Sequence, residues 1–448
     1  MTEKAQPAKA EAVVLADIPS QPVELEDCAA ALFQASQHFV ECNVTEADVL
    51  ELDVVATSYT DGRPLQTLAE AKSGQWGYGE IFKLYGWMKY LGIENGALFV
   101  TKVAEDKNVE MVREKVGPLG IQLLHLDSEN LADAFAAAGC PAITDRFSVD
   151  LWRFSYAIQR TFIRYLQLHR NSNPVLEGPR TALRYHALVN HGVFFEPNPR
   201  NRLRQLYADF SEHPKLSLGL ARDEDTATFD CNTEDPKNHR IWEAIYEGKH
   251  DAVQAAMYIE HRARLALLKT AIDLYCLGTP EPRPVLTHKG KVVVTEDDLL
   301  PPSFRRAFDE LKKEPFVSRY AVFWQVFLWG FGGFYLQDRR DAEFEWLSSQ
   351  TGIPLEEVPR ALKAFDKLFP TSGGTWFGQT RTSHCVVVKM VPTAMQGIGA
   401  FQRSDRYGLK SYADLGYTDM TAKDLSKWHN KSYETLKMRE RFMKAGGL

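Results

Sequence analysis

The dipeptide Asp61-Gly62, set between two β-prone runs, constrains the fold of this chain more than any other feature. Aspartate and glycine tolerate the positive φ of a type I′ turn, so the pair predicts a hairpin with a two-residue loop. With Asp61 and Gly62 at its centre, the numbers of paired residues sum to 123, which sets Asp53 opposite Glu70. Directly opposed residues hold their Cβ atoms about 4.5–5.5 Å apart. Lys72 lies two residues beyond Glu70 and projects from the same strand face. Two carboxylates and a lysine are therefore expected to share one end of the hairpin.

The flanking pattern predicts what surrounds it. A helix is expected over 24–38, built on Ala29, Ala30, Ala31, Leu32 and Phe33. Ile81, Leu84, Trp87, Met88 and Leu91 give 79–92 an apolar stripe at helical spacing. A strand at 96–101, a helix at 108–116, a strand at 121–126 and a helix at 128–139 complete the order. Strands separated by single helices imply crossovers, so this portion is expected to be α/β with a central mixed sheet flanked by helices.

Carboxylates so close repel, and burying them unpaired costs several kcal/mol or forces one to take a proton. A hard divalent cation removes that cost. Mg²⁺ or Mn²⁺ prefers oxygen ligands, which Asp53, Glu70 and the carbonyl of Ala71 could supply. Lys72 could then orient an attacking water or neutralise charge developing on phosphorus. The plain alternative is a solvated hairpin whose charges serve only solubility.

On Glu51-Leu-Asp53, Glu70-Ala-Lys72-Ser-Gly and the helix and Gly-Ala-Leu-Phe-Val strand that follow, residues 20–145 resemble the PD-(D/E)xK nuclease superfamily. The resemblance is to its Holliday-resolvase and Mrr-like branch and covers the first third of the chain. It implies a restriction-endonuclease-like fold in which Asp53 and Glu70 bind the metal and Lys72 assists the nucleophilic water. It also implies that an acidic residue of the first helix, Glu26 here, completes the site, with Glu41, Glu46 or Asp48 as substitutes. Glu80 or Lys83, on the next helix, could face the site or simply solvent. Trp76 is expected to pack in the core, and Lys89 to be solvated.

Charge divides the labour. Residues 1–150 carry 11 Lys and Arg against 24 Asp and Glu, a formal −13, while the remaining 298 carry 42 against 35, or +7. Non-specific affinity for a phosphate backbone rests on Lys and Arg contacts, so the downstream region is expected to hold the nucleic acid. At 448 residues several domains are expected. The expected divisions are a disordered lead-in at 1–18, the nuclease-like domain at 19–146, a helical domain at 147–280, and a mainly helical region with small β elements at 281–448.

Within those later parts, helices are expected at 152–168, 181–191, 201–210 and 251–277, the last carrying Arg262, Arg264 and Lys269 away from its apolar face. Arg200, Arg202 and Arg204 form a basic cluster that could meet phosphate or lie in solvent. A small hairpin is expected around Lys289-Gly290. The aromatic run 323–336 is too short to span a bilayer and reads as a core element or an oligomer interface. Residues 351–369 have the rhythm of a helix-turn-helix. The tail 403–444, with ten basic and six acidic residues and interspersed aromatics, could contact nucleic acid by charge and stacking.

Six dispersed cysteines without a C-x-x-C pair predict neither a zinc ribbon nor a disulfide scaffold, and fit a reducing, cytoplasmic setting. There is no H-E-x-x-H, no phosphate-binding G-x-x-x-x-G-K-[ST] loop and no dinucleotide-binding glycine loop. The first residues lack the apolar core of a secretory signal, and no stretch reaches membrane-spanning length. These readings together anticipate a Mg²⁺-dependent endonuclease acting on double-stranded DNA, in restriction or antiphage defence. Two-strand cutting and the aromatic run raise homodimerisation as a hypothesis, and separate protein partners are a further one. An inactive nucleic-acid-binding or assembly subunit, and a ribonuclease with the same metal chemistry, are the alternatives.

Overall fold

The computed structural model describes residues 22–46, 50–103, 108–126, 135–138, 140–141, 143, 146–169, 198–212, 250–276, 281–300, 302–368, 377–379, 385–388 and 393–407. Helix α1 (Pro22–Ala35) leads into β1 (Phe39–Glu46), β2 (Leu50–Ser58) and β3 (Leu65–Lys72), then α2 (Tyr78–Leu91), β4 (Asn95–Val100), α3 (Val109–Val116) and β5 (Ile121–His125). The five strands form one sheet in the order β1-β2-β3-β4-β5. The first three are antiparallel and the last three parallel, which gives the expected mixed α/β sheet.

The hairpin register is the expected one, for Val54 pairs with Ala69 and Ser58 with Leu65. The loop is not. It runs from Tyr59 to Pro64, and the N–H of Gly62 donates to the carbonyl of Tyr59 at 3.0 Å. Thr60 and Asp61 are thus the central turn residues, and only Gly62 takes the left-handed conformation, with φ 73°. A six-residue loop centred on the same point preserves the sum of 123 that a two-residue loop would set.

Strand β1 is longer than a short edge strand and forms the border of the sheet. Its outer edge is met by side chains rather than left open. Gln325 pairs both ways with the backbone of Val40, at 2.8 and 2.6 Å, and Arg262 donates to the carbonyl of Cys42 at 3.3 Å. Exposed strand edges invite pairing with other chains, and these contacts close that route. Helix α2 sits close on β4, because a Cβ at Gly96 would lie 2.5 Å from the Met88 sulfur.

The later part is helical: α4 (Arg146–His169), α5 (Pro199–Glu212) and α6 (His250–Cys276), then α7 (Pro302–Leu311), α8 (Tyr320–Gln325), α9 (Arg340–Thr351), α10 (Val358–Leu368) and α11 (Thr393–Tyr407). The hairpin β6 (Pro284–His288) and β7 (Lys291–Thr295) turns at Lys289 and Gly290, both at positive φ as expected. A small sheet has the order β8 (Phe334–Leu336), β10 (Cys385–Val388), β9 (Phe377–Gln379). Apolar residues of α1, the five-stranded sheet, α4, α6 and α8 share one buried cluster. No helix among the described residues is long and apolar enough to cross a membrane. The four cysteines described as to pairing, Cys28, Cys42, Cys140 and Cys276, are all free.

Several expectations for this half are corrected. The aromatic run is buried almost throughout, from α8 through a π-helical turn at Val326–Gly330 to β8, so it is core and offers no surface to a second copy. Arg202 is buried rather than presented to phosphate, Arg200 pairs with Asp297 at 2.9 Å, and Arg204 donates to Asn201. Lys269 is fully buried and pairs with Asp273 at 2.6 Å, because Asp273 follows one helical turn later and also accepts the Tyr59 hydroxyl. The expected helix-turn-helix begins one helix early: α9 ends at Thr351, a 3₁₀ turn spans Leu355–Glu357, and α10 starts at Val358. The helix at 181–191 and residues 408–444 of the tail lie outside the described residues, as does most of 128–139.

Candidate active site

The β2–β3 ladder ends at Val54 and Ala69, and the next residues of the two strands build the site. Past that point the Ala71 N–H donates to Asp53 Oδ2 at 2.9 Å instead of to a backbone carbonyl. A strand residue directs its N–H and C=O to the same neighbour. The Lys72 carbonyl accepts from Thr101 beyond β4, so the preceding residue, Ala71, turns both its groups toward β2. The Ala71 carbonyl therefore faces the edge where the Asp53 carboxylate lies, as the expected metal set requires.

Glu70 is buried, and its Oε1 receives both Lys72 Nζ at 2.5 Å and Lys83 Nζ at 3.1 Å. Lys72 also lies 3.8 Å from Glu80. Helix α2 thus brings two groups to the cluster, Lys83 and Glu80, which sequence could not separate from an exposed helix face. Lys83 is held over the Trp87 ring at 4.1 Å, a cation–π contact that fixes its direction. Trp76 is buried as expected, its indole N–H donating to the Lys102 carbonyl at 2.7 Å, and Lys89 is exposed as expected.

The electrostatics mark excess negative charge. Burial, then the charge of Glu70, pushes the Asp53 carboxyl up to about 6, against the Ala71 N–H and the two lysines. Burial, then Asp53 and Asp27, pushes Glu26 up to about 7, with Arg160 opposing. Glu26 on α1 is therefore within the field of the site. Burial pulls Lys72 down, but its bond to Glu70 and the charges of Glu70, Asp53 and Glu80 leave it raised.

Of the other acidic candidates, Glu41 is buried among Lys269, Arg202 and Arg262 and serves the contact between β1 and the helices. The Glu46 side chain and Asp48 lie outside the described residues. Sequence reasoning missed Arg160, which pairs with Asp27 beside Glu26. No local signal could have found it, since it stands on α4, far downstream.

Among the described residues no three His, Cys, Asp or Glu side chains converge closely enough to hold a metal by themselves. The donors the expected metal set would offer are two carboxylates, Asp53 and Glu70, with the Ala71 carbonyl. That suits Mg²⁺, which keeps several waters and takes one or two carboxylates, better than a soft or fully caged metal. Comparison of the chain with protein-family models, curated proteins and solved structures gave no match.

Proposed function

We propose that this chain is a metal-dependent endonuclease that hydrolyses phosphodiester bonds, with DNA as its substrate and Mg²⁺ or Mn²⁺ at Asp53, Glu70 and the Ala71 carbonyl. The observation that carries the reading is the charge balance of a half-open cluster. Asp53, Glu70 and Glu80 surround Lys72 and Lys83, and Glu26 and Asp27 beside Asp53 share Arg160: five carboxylates against three cations, a formal −2 when all are ionised. A divalent cation neutralises that remainder.

Asp53 and Glu70, on adjacent strands just past the end of the β2–β3 ladder, would hold the ion. When bound, such an ion polarises a phosphoryl oxygen and lowers the pKa of a coordinated water. Lys72, pointing into the cluster from the same strand as Glu70, donates to the attacking water or to an oxygen on which charge develops. Glu26, its carboxyl pushed by burial up to about 7, could give or take a proton at the site near neutral pH.

A second reading draws on the pairing of Glu70 with both lysines: a cluster already bridged could serve structure in a nucleic-acid-binding or assembly subunit. Cleavage of plasmid, linear duplex, single-stranded DNA and RNA with and without Mg²⁺ separates the two. Activity in the wild type and none in folded Asp53→Ala, Glu70→Ala or Lys72→Ala supports the nuclease; equal activity in all four excludes this site.

A further inference from the structure

Helix α2 presents a second feature beside the cluster. Its buried face carries Ile81, Leu84 and Met88, and its site-facing side carries Glu80 and Lys83. On the opposite flank, Tyr78, Phe82, Tyr85 and Lys89 fall at helical spacing along one stripe. Phe82 is 62 % exposed and Tyr78 43 %, and their rings stack with centroids 6.0 Å apart. Lys89 lies 5.1 Å over the Tyr85 ring. Between the stripe and the site-facing side stand Gly79 and Gly86, both exposed, with nothing within 4 Å of a Cβ built on either.

We propose that this face of α2 seats unpaired nucleobases, so that the strand delivered to Asp53 and Glu70 is single-stranded or a locally opened stretch of duplex. The inference rests on the nuclease reading and names the state of its substrate. Exposed aromatics at successive turns give bases a flat surface, and any base offers a π-face. Lys89, within the stripe, supplies positive charge there, and Lys83 supplies it on the site-facing side, which suits a polyanion crossing between them in a region whose net charge is otherwise negative. The glycine strip leaves room for a sugar–phosphate backbone to run between the stacked bases and Lys83. A paired duplex hides its base faces and could not use the stripe, whereas the aromatics lie on the very helix that supplies Lys83 to the cluster.

The test uses the full chain carrying Asp53→Asn to prevent cleavage, titrated into labelled oligothymidylate, oligouridylate and a blunt duplex. Adding Tyr78→Ala with Phe82→Ala is expected to weaken binding of the single strands about tenfold or more and to leave the duplex unchanged. Tyr78→Leu with Phe82→Leu, which keeps apolar area but no ring, is expected to weaken it similarly, and tryptophan at both positions to preserve it. Single-strand affinity unchanged by the alanine or the leucine pair overturns the seat. So does a change in sedimentation with unchanged oligonucleotide affinity, which would assign the stripe to a second copy of the chain. With Asp53 intact, absence of any cleavage alongside aromatic-dependent binding would overturn the cutting and leave the seat. Cleavage with equal losses on single strand and duplex would overturn the seat and leave the cutting.

Discussion

Glu343 with Arg403, and Glu70 with Lys72, join a carboxylate to a cation in opposite surroundings. Glu343 and Arg403 are both fully buried, and every direction is used: Arg403 donates to Glu343 at 2.5 and 2.8 Å and to the carbonyls of Phe331, Phe334 and Gly399. Glu343 in turn accepts from the Tyr407 hydroxyl at 2.9 Å. That pair is neutral and locks β8, α9 and α11 together. The Glu70 cluster has more carboxylates than cations, and Lys72 and Glu80 reach solvent. A closed, balanced pair can only hold a fold; an open, unbalanced one can still bind something.

The largest expected effect breaks this comparison on the chemical side. Asp53→Ala or Glu70→Ala is expected to lower kcat/KM for cleavage by about a thousandfold or more, since metal stabilisation supplies several kcal/mol and each 1.36 kcal/mol is tenfold. Melting temperature of Asp53→Ala in the absence of metal should hold nearly level, relief of repulsion from Glu70 offsetting the lost Ala71 hydrogen bond, whereas Glu70→Ala removes the partner of Lys72 and Lys83 and should lower it. Arg403→Ala, unlike Asp53→Ala, is expected to destabilise by about 3–5 kcal/mol by leaving Glu343 buried and unpaired. Denaturant unfolding of both variants checks the split, and a similar stability loss in Asp53→Ala would erase the distinction.

The pH dependence sharpens it. Asp53 and Glu26 have folded-state pKa values raised to about 6 and about 7. Between about 4 and 7 the folded chain therefore holds more protons than the unfolded one, so these two groups make stability fall as pH rises through that window. His38, buried with its Nδ1 against the carbonyls of Ser36 and Phe33, is instead lowered to about 4 by burial. The unfolded chain then binds the extra proton between about 6.5 and 4, and the His38 contribution is lost as pH falls. Mg²⁺ is expected to remove the first slope and leave the second. Urea midpoints across pH 4–8, in wild type, Asp53→Asn with Glu26→Gln, and His38→Gln, test this; a metal-insensitive high-pH slope would count against an ion at Asp53.

The contrast also explains what could be read in advance. The hairpin register was legible because it depends on where the loop is centred, and a six-residue loop shares its centre with a two-residue one. The strand–helix alternation from α2 to β5 was legible from apolar spacing and from Asn108, which caps α3 by accepting from Met111. Burial of charge was not. Arg202 looked like one of three surface arginines because Glu41, whose charge it faces in the interior, is distant in sequence. Lys269 could have been suspected, since Asp273 follows at i+4. Gln325 on the edge of β1, and Arg160 beside Glu26, depend on packing between distant segments that no local pattern encodes.

The smallest effect is the most discriminating. Lys83 shares Glu70 with Lys72 but is more exposed, and it is held by Trp87 rather than by a strand. Removing it should leave the fold intact, because half-exposed pairs contribute about 0–1 kcal/mol. In a structural cluster nothing else should change. In a metal site, Lys83→Ala takes away a cation that competes for Glu70 and moves the formal balance from −2 to −3. Mg²⁺ half-saturation should then fall about twofold to fivefold, while KM for nucleic acid rises by a similar factor through loss of a phosphate contact. Lys83→Arg should restore KM more than it restores the metal dependence. If both quantities move in the same direction, or neither moves, Glu70 is not the point at which lysine and metal compete.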